Sequence, residues 1–221
     1  MINIIRAKAK YEKPSCLLGI WIRVSFCETL NTESNELKSS RIEAVLLTGG
    51  SSSRMGEDKA SKSIDGQPAA AKIASELVKL CYPVTILGTG PLAGYAFLAD
   101  TEQHSGPLRA LSHFEPRCPM VFVASCDMPR FAKEVVEELM QKIHSKVAAI
   151  PTLQGVLQPL CALYSAAVWP TMREMVDSGE ARMMAFARRL DALEIPFDNS
   201  PLSVQIRSAN TPDEWNDLKR S

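Results

Sequence analysis

From Arg41 onward, short runs of apolar and β-branched residues alternate with longer stretches in which apolar positions recur every three or four residues. The first spacing is that of buried strands and the second that of amphipathic helices. It predicts strands at Glu43–Leu47, Val84–Leu87, Tyr95–Ala99, Met120–Ala124, Val147–Ile150, Leu160–Tyr164 and Val204–Ile206. Helices are expected at Pro68–Leu80, Pro129–Lys146, Trp169–Val176 and Arg182–Leu190. Pro68 opens the first of them, where a missing N–H costs least. In the second, Phe131, Val135, Val136, Leu139 and Ile143 share a face. Gly106-Pro107-Leu108 reads as a tight turn. Thr211-Pro212-Asp213-Glu214 supplies an N-cap, a first-turn proline and a glutamate three positions on, a capping box that opens a last helix. Trp215 is expected to pack that helix onto the sheet. Strands alternating with helices place the chain in the α/β class, with a largely parallel central sheet covered on both faces.

With 221 residues, 46% of them hydrophobic, the chain is long enough to bury one sizeable core. Twenty-five basic and twenty-five acidic residues cancel to a formal charge of zero. A global field that would draw in nucleic acid or an anionic membrane is therefore absent, and any anion binding must be local. Six cysteines, Cys16, Cys27, Cys81, Cys118, Cys126 and Cys161, form no C-x-x-C pair and mostly sit in apolar runs. That usage favours reduced, buried thiols and a cytoplasmic protein. His104, His113 and His144 share no metal-ligand spacing and read as surface or packing residues, whereas Met183, Met184 and Phe186 read as core.

The first forty residues stand apart. Cys16–Phe26 (CLLGIWIRVSF) is apolar and follows Arg6, Lys8, Lys10 and Lys13, the order of a signal peptide. Arg23 interrupts the run, no clean cleavage site follows, and a membrane span needs roughly 20 apolar residues. Residues 1–40 are accordingly expected to be an extension, disordered or arising from a start placed too early, ahead of one domain over residues 41–221.

In a parallel sheet, ligands collect where strands end at the carboxyl edge. Two polar clusters are predicted to meet on that rim. The first is the loop Thr48–Ser61, which follows strand one. Consecutive backbone N–H groups in a glycine- and serine-rich loop can converge on phosphate oxygens, with Gly49 and Gly50 allowing the close approach and Ser52 a further nucleotide-binding candidate. Arg54 and Lys59 add charge suited to a triphosphate. The loop lacks the Gly-Lys-Ser/Thr of a P-loop, which disfavours a kinase or GTPase of that type. A solvated turn whose charges pair internally, Asp58 with Lys59, reads equally well from the loop alone. The second cluster is Ser125-Cys126-Asp127, just past a buried strand. Asp127 there is aimed at solvent, and a lone carboxylate at the ligand edge suits Mg²⁺, which keeps several waters and takes substrate phosphates as well; the alternative is a turn former or helix N-cap. Asp100, after the Tyr95–Ala99 strand, is a similar but less distinctive candidate.

The stretch from Leu47 to Lys59, LTGGSSSRMGEDK, closely resembles the L-A-G-G-x-S-x-R-M-G-x-D-K signature of molybdenum cofactor guanylyltransferases. The resemblance continues through Asp100, Gly106-Pro107-Leu108, Cys126-Asp127-Met128-Pro129, Pro159–Tyr164, Gly179–Arg182 and Asn210–Glu214, and so covers about residues 42–218. It implies a Rossmann-like three-layer sandwich, similar to that of nucleotide-diphospho-sugar transferases, and a magnesium-dependent transfer of GMP from GTP to molybdopterin with release of pyrophosphate. It further implies that the backbone of Leu47, Thr48 and Gly49 meets the nucleotide and Lys59 its phosphates. Asp100 would contact the nucleotide, and Asp127 would hold both nucleotide and Mg²⁺. Proteins of molybdenum insertion and molybdoenzyme maturation are the implied partners. Cytidylyl relatives usually carry Ala-Gly in place of Gly49-Gly50, which favours the guanylyl branch. Thr48 replaces the family's usual alanine, Gly88 stands near a frequent asparagine, Arg109 replaces a small residue, Gln158 replaces a frequent histidine, and Ala60–Ser63 replaces a leucine-rich stretch. Arg182 is a candidate for the pterin side. A cytidylyl or sugar-phosphate nucleotidyltransferase, or a nucleotide-binding protein that has lost turnover, are the alternatives.

Overall fold

The structure is a computed structural model; it describes residues 42–49, 59–100 and 105–218, and the backbone of 219 and 220. The expected extension, residues 1–40, lies outside the described residues. The strands are β1 (Ile42–Leu47), β2 (Ser63–Ile64), β3 (Gln67–Pro68), β4 (Val84–Gly88), β5 (Ala96–Ala99), β6 (Met120–Ser125), β7 (Ala148–Leu153), β8 (Val156–Leu157), β9 (Cys161–Ser165) and β10 (Ala192–Pro196). One mixed sheet runs through the molecule in the order β10-β7-β9-β6-β1-β4-β5. β1 lies parallel to both β4 and β6, β5 parallel to β4, and β10 parallel to β7. β9, between β6 and β7, runs against both neighbours, and β8 folds back on β7. A separate two-stranded hairpin of β2 and β3 precedes the first helix.

The helices are α1 (Ala69–Leu77), α2 (Pro107–Ser112), α3 (Glu134–Lys142), α4 (Trp169–Asp177), α5 (Met183–Arg189) and α6 (Pro212–Arg220). Alternate strand residues sort the core into two layers, as a period of two demands. Ala44 and Leu46 of β1, Ile86 of β4 and Phe122 of β6 meet Ile73 and Leu77 of α1 and Val136 and Leu139 of α3. On the opposite face, Val45, Leu87, Val121 and Val123 meet Leu108 and Leu111 of α2, Met172 of α4 and Phe186 of α5. The expected three-layer sandwich with a mostly parallel sheet is the observed fold.

Several boundaries differ from the periodicity, each for a local reason. Val204–Ile206 is not a strand; it lies in a 3₁₀ turn, Pro201–Ile206, started by the Ser200 hydroxyl accepting from Leu202 N at 3.1 Å. Gly106-Pro107-Leu108 is not an isolated turn but the start of α2, with Gly106 as N-cap at φ 96°. α3 begins at Glu134, because Pro129–Lys133 is spent on a turn in which Phe131 N donates to Met128 O. β10 escapes the pattern because only Leu193 and Ile195 mark it. Trp215 is buried at 3% exposure, yet it packs against Ile64, Ala69 and Ala209 rather than against the sheet, with Lys62 Nζ 5.7 Å from its ring. Met183 and Phe186 are core, as expected.

Candidate active site

The strand register carries the polar residues to one edge. Leu47, last of β1, pairs with Leu87 of β4 and with Ser125 of β6, so whatever follows Leu47 emerges between the ends of two parallel neighbours. Thr48 N donates to Leu87 O at 2.9 Å and Cys126 N donates to Leu47 O at 3.1 Å, so ladder bonding runs one step past each strand before the chains part. Gly88 pairs with Ala99 of β5, and Asp100 N donates to Gly88 O at 2.9 Å. Leu47, Thr48, Gly49, Asp100 and Asp127 therefore stand on one rim. Gly50, Ser52 and Arg54 lie outside the described residues.

Lys59 and Asp127 come together there. Lys59 heads a short 3₁₀ turn, Lys59–Ser61, and its Nζ lies 3.6 Å from Asp127 Oδ2. Asp127 is also fixed from two other directions: the Ser125 hydroxyl donates to its Oδ1 at 2.5 Å, and Ala209 N donates to its backbone carbonyl at 2.8 Å. Both side chains of the ion pair keep 20% of their surface exposed, so the carboxylate is shielded without being sealed. Its negative charge is felt by Cys161, whose thiol is pushed far up first by burial and then by Asp127. The Asp127 carboxylate and the Ser125 hydroxyl are hard oxygen donors of the kind Mg²⁺ prefers. Among the described residues no group of three His, Cys, Asp or Glu side chains could hold a metal.

Asn210 belongs to the site as well, although the sequence marks it only as the first residue of the Asn210–Glu214 segment and gives it no role. Its Oδ1 accepts from Lys59 Nζ at 3.0 Å, and its N donates to Glu214 Oε2 at 2.7 Å. Glu214 N in turn donates to Thr211 Oγ1 at 3.2 Å, which is the expected capping box. The signal available was position: a cap at the start of α6 holds Asn210 still, and Ala209 beside it is bonded to Asp127. Arg182, by contrast, lies 81% exposed in a two-pronged pair with Glu180, at 2.9 and 2.6 Å, which pulls the Glu180 carboxyl down to about 2.

Two recesses are lined by residues adjoining this cluster, one by Ala60, next to Lys59 in the chain, and one by Glu214, which is bonded to Asn210. One, of about 230 Å³, is lined by Thr48, Ala60, Ser61, Thr89, Gly90 and Leu92 among others. The other, of about 480 Å³, has Gln154, Gln158, Asp198, Arg207 and Glu214 on its walls together with Leu153 and Leu218. No helix among the described residues is long and apolar enough to cross a membrane.

The chain is 27% identical over 194 residues to the probable molybdenum cofactor guanylyltransferase of Synechococcus elongatus, covering 80% of this chain and 98% of that protein. Among solved structures it resembles the molybdopterin-guanine dinucleotide biosynthesis protein A of Archaeoglobus fulgidus, with TM-score 0.67, 18% identity and coverage of 80% and 97%. The fold is shared by 2-C-methyl-D-erythritol 4-phosphate cytidylyltransferase of Thermus thermophilus, with TM-score 0.60, 13% identity and coverage of 80% and 96%. The family model for the MobA-like NTP transferase domain matches residues 44–193, from β1 into β10, and the chain belongs to that family.

Proposed function

We propose that the protein transfers GMP from GTP to molybdopterin, releasing pyrophosphate, with Mg²⁺ held at Asp127. The reading rests on one observation: the Asp127 carboxylate, the Lys59 ammonium and the chain emerging from β1 share a single partly open rim, at 3.6 Å between the two charges. The guanylyltransferase name of the relatives supplies the base and the acceptor.

In the proposed reaction the terminal phosphate of molybdopterin attacks the α-phosphorus of GTP in line; the new P–O bond forms as the bond to the β-phosphate breaks, and pyrophosphate leaves. The nucleophile is already an anion, so no general base is needed. What the protein must do is bring two polyanions together and disperse the charge that builds on the leaving group. Lys59 sits where it can exchange Asn210 and Asp127 for phosphate oxygens. The Thr48 and Gly49 backbone at the end of β1 would meet the triphosphate, and Asp100, on the same rim, would contact the nucleotide. Ser125 holds Asp127 in place through its 2.5 Å hydrogen bond. Bound at Asp127, Mg²⁺ would neutralise phosphate charge and orient the α-phosphate.

The test is pyrophosphate release from GTP in the presence of molybdopterin and Mg²⁺, with CTP in a parallel arm. Release that requires molybdopterin and favours GTP supports the reading. Preference for CTP would make this a cytidylyl enzyme, and nucleotide binding with no release would make it a nucleotide-binding protein without turnover.

A further inference from the structure

α6 has the smallest hold on the molecule of the helices described. Of its residues 212–218 only Trp215 and Leu218 are buried, whereas every other helix buries at least three. Those two side chains meet Ile64, Ala69 and Ala209, with Val204 beside them, in a small cluster apart from the two layers of the sheet core. A helix of nine residues is too short to persist in water by itself. α6 is therefore helical only while its contacts keep it in place. Two contacts reach the rim through the segment just ahead of it: Ala209 N donates to Asp127 O at 2.8 Å, and Asn210 Oδ1 accepts from Lys59 Nζ at 3.0 Å. Glu214 Oε2 accepts from both Asn210 N and Thr211 N, at 2.7 and 3.2 Å, so Asn210 and the first turn of α6 move as one piece.

We infer that the Lys59–Asn210 hydrogen bond is a latch, which keeps α6 docked in the nucleotide-free protein and lets it go when nucleotide phosphates draw Lys59 away. This rests on the nucleotide reading above and adds regulation to it. Lys59 gains more from phosphate than from Asn210, because the amide oxygen is neutral and a phosphate oxygen adds the attraction of opposite charges. Docked and released α6 thus differ by a contact for which the nucleotide competes, and that difference is what a population shift requires. Glu214, Asp217 and Leu218 of α6 line the 480 Å³ recess, so release widens the recess only after the nucleotide has bound. Coupling between two such events is reciprocal: a change that loosens α6 by itself must tighten nucleotide binding.

The test combines amide hydrogen exchange with calorimetry on the full chain. Exchange is followed at Trp215–Leu218 and, as a reference, in α4, with and without saturating GTP and Mg²⁺. On GTP binding the α6 amides should exchange at least about threefold faster while those of α4 are unchanged or slower; α6 exchange that stays the same or slows would overturn the latch. Lys59→Met without nucleotide should already show the faster α6 exchange, and exchange at the wild-type rate would contradict the inference. Leu218→Ala loosens α6 at the end far from Asn210 and leaves Lys59 and the rim in place. Its affinity for GTP should rise about two- to threefold over wild type. A helix that merely braced the site would make the affinity fall when loosened, so unchanged or lower affinity would overturn the coupling. Should wild type fail to bind GTP in the calorimeter, the nucleotide reading itself fails; GTP binding that leaves α6 exchange unaltered removes the latch alone.

Discussion

The two ends of the same central sheet each carry a carboxylate, and the pair shows what separates a buried staple from a group left open to a ligand. Glu43, near the start of β1, is fully buried. Its Oε1 accepts from Arg117 N at 2.5 Å and Cys118 N at 2.7 Å, tying the loop before β6 to β1. Its Oε2 is buried without a hydrogen-bond partner among the described residues. Burial, then the neighbouring Cys118, pushes the nearby Cys81 thiol up to about 12. Asp127, past the end of β6, keeps a fifth of its side chain exposed and is held by one hydroxyl and one lysine ammonium. Burial with backbone partners leaves Glu43 nothing to exchange. Partial exposure beside a lysine leaves Asp127 able to trade partners for a phosphate or a metal.

Substitutions should pull these two roles apart. The largest effect is expected from Asp127→Ala, which should reduce pyrophosphate release about 100-fold or more, while thermal unfolding stays within a few degrees of wild type; retained turnover would move Asp127 into the same structural class as Glu43. Glu43→Ala should do the reverse. Orphaning two buried backbone donors is expected to cost about 2–4 kcal/mol in urea unfolding, with GTP affinity unaltered. Lys59→Ala comes next, weakening GTP binding by about 1.5–3 kcal/mol as measured by calorimetry, the range for one charge-assisted contact. Affinity that did not change would leave Lys59 as a fastener of Asn210. Asn210→Ala should have the smallest effect, about 1 kcal/mol or less on GTP binding, because it removes a group that positions Lys59 without removing any charge.

The sheet was legible in the sequence wherever a strand was long and apolar enough to be buried on both faces. β1, β4 and β6 announce themselves this way, and with β5 they end at the rim. The edge strand β5 was also legible, but two other elements were not: β10 carries two inward residues, and the β7–β8 hairpin turns on Gln154-Gly155 at φ 51° and 71°, a signal weaker than Asn-Gly. The Pro201–Ile206 turn misled because Val204 and Ile206 imitate a strand while Ser200 and Pro201 set a 3₁₀ cap. At the site, Asp127 and Lys59 could be named from loop position and residue type. Their 3.6 Å approach could not, since it depends on β1 and β6 being neighbours.

The central claim is that one nucleotide and one divalent cation share the rim at Asp127. The most direct measurement is a calorimetric titration of GTP into wild type and Asp127→Asn, each with and without Mg²⁺. The account predicts that Mg²⁺ tightens GTP binding to wild type and that this increment disappears in Asp127→Asn. An increment of the same size in both proteins would contradict it.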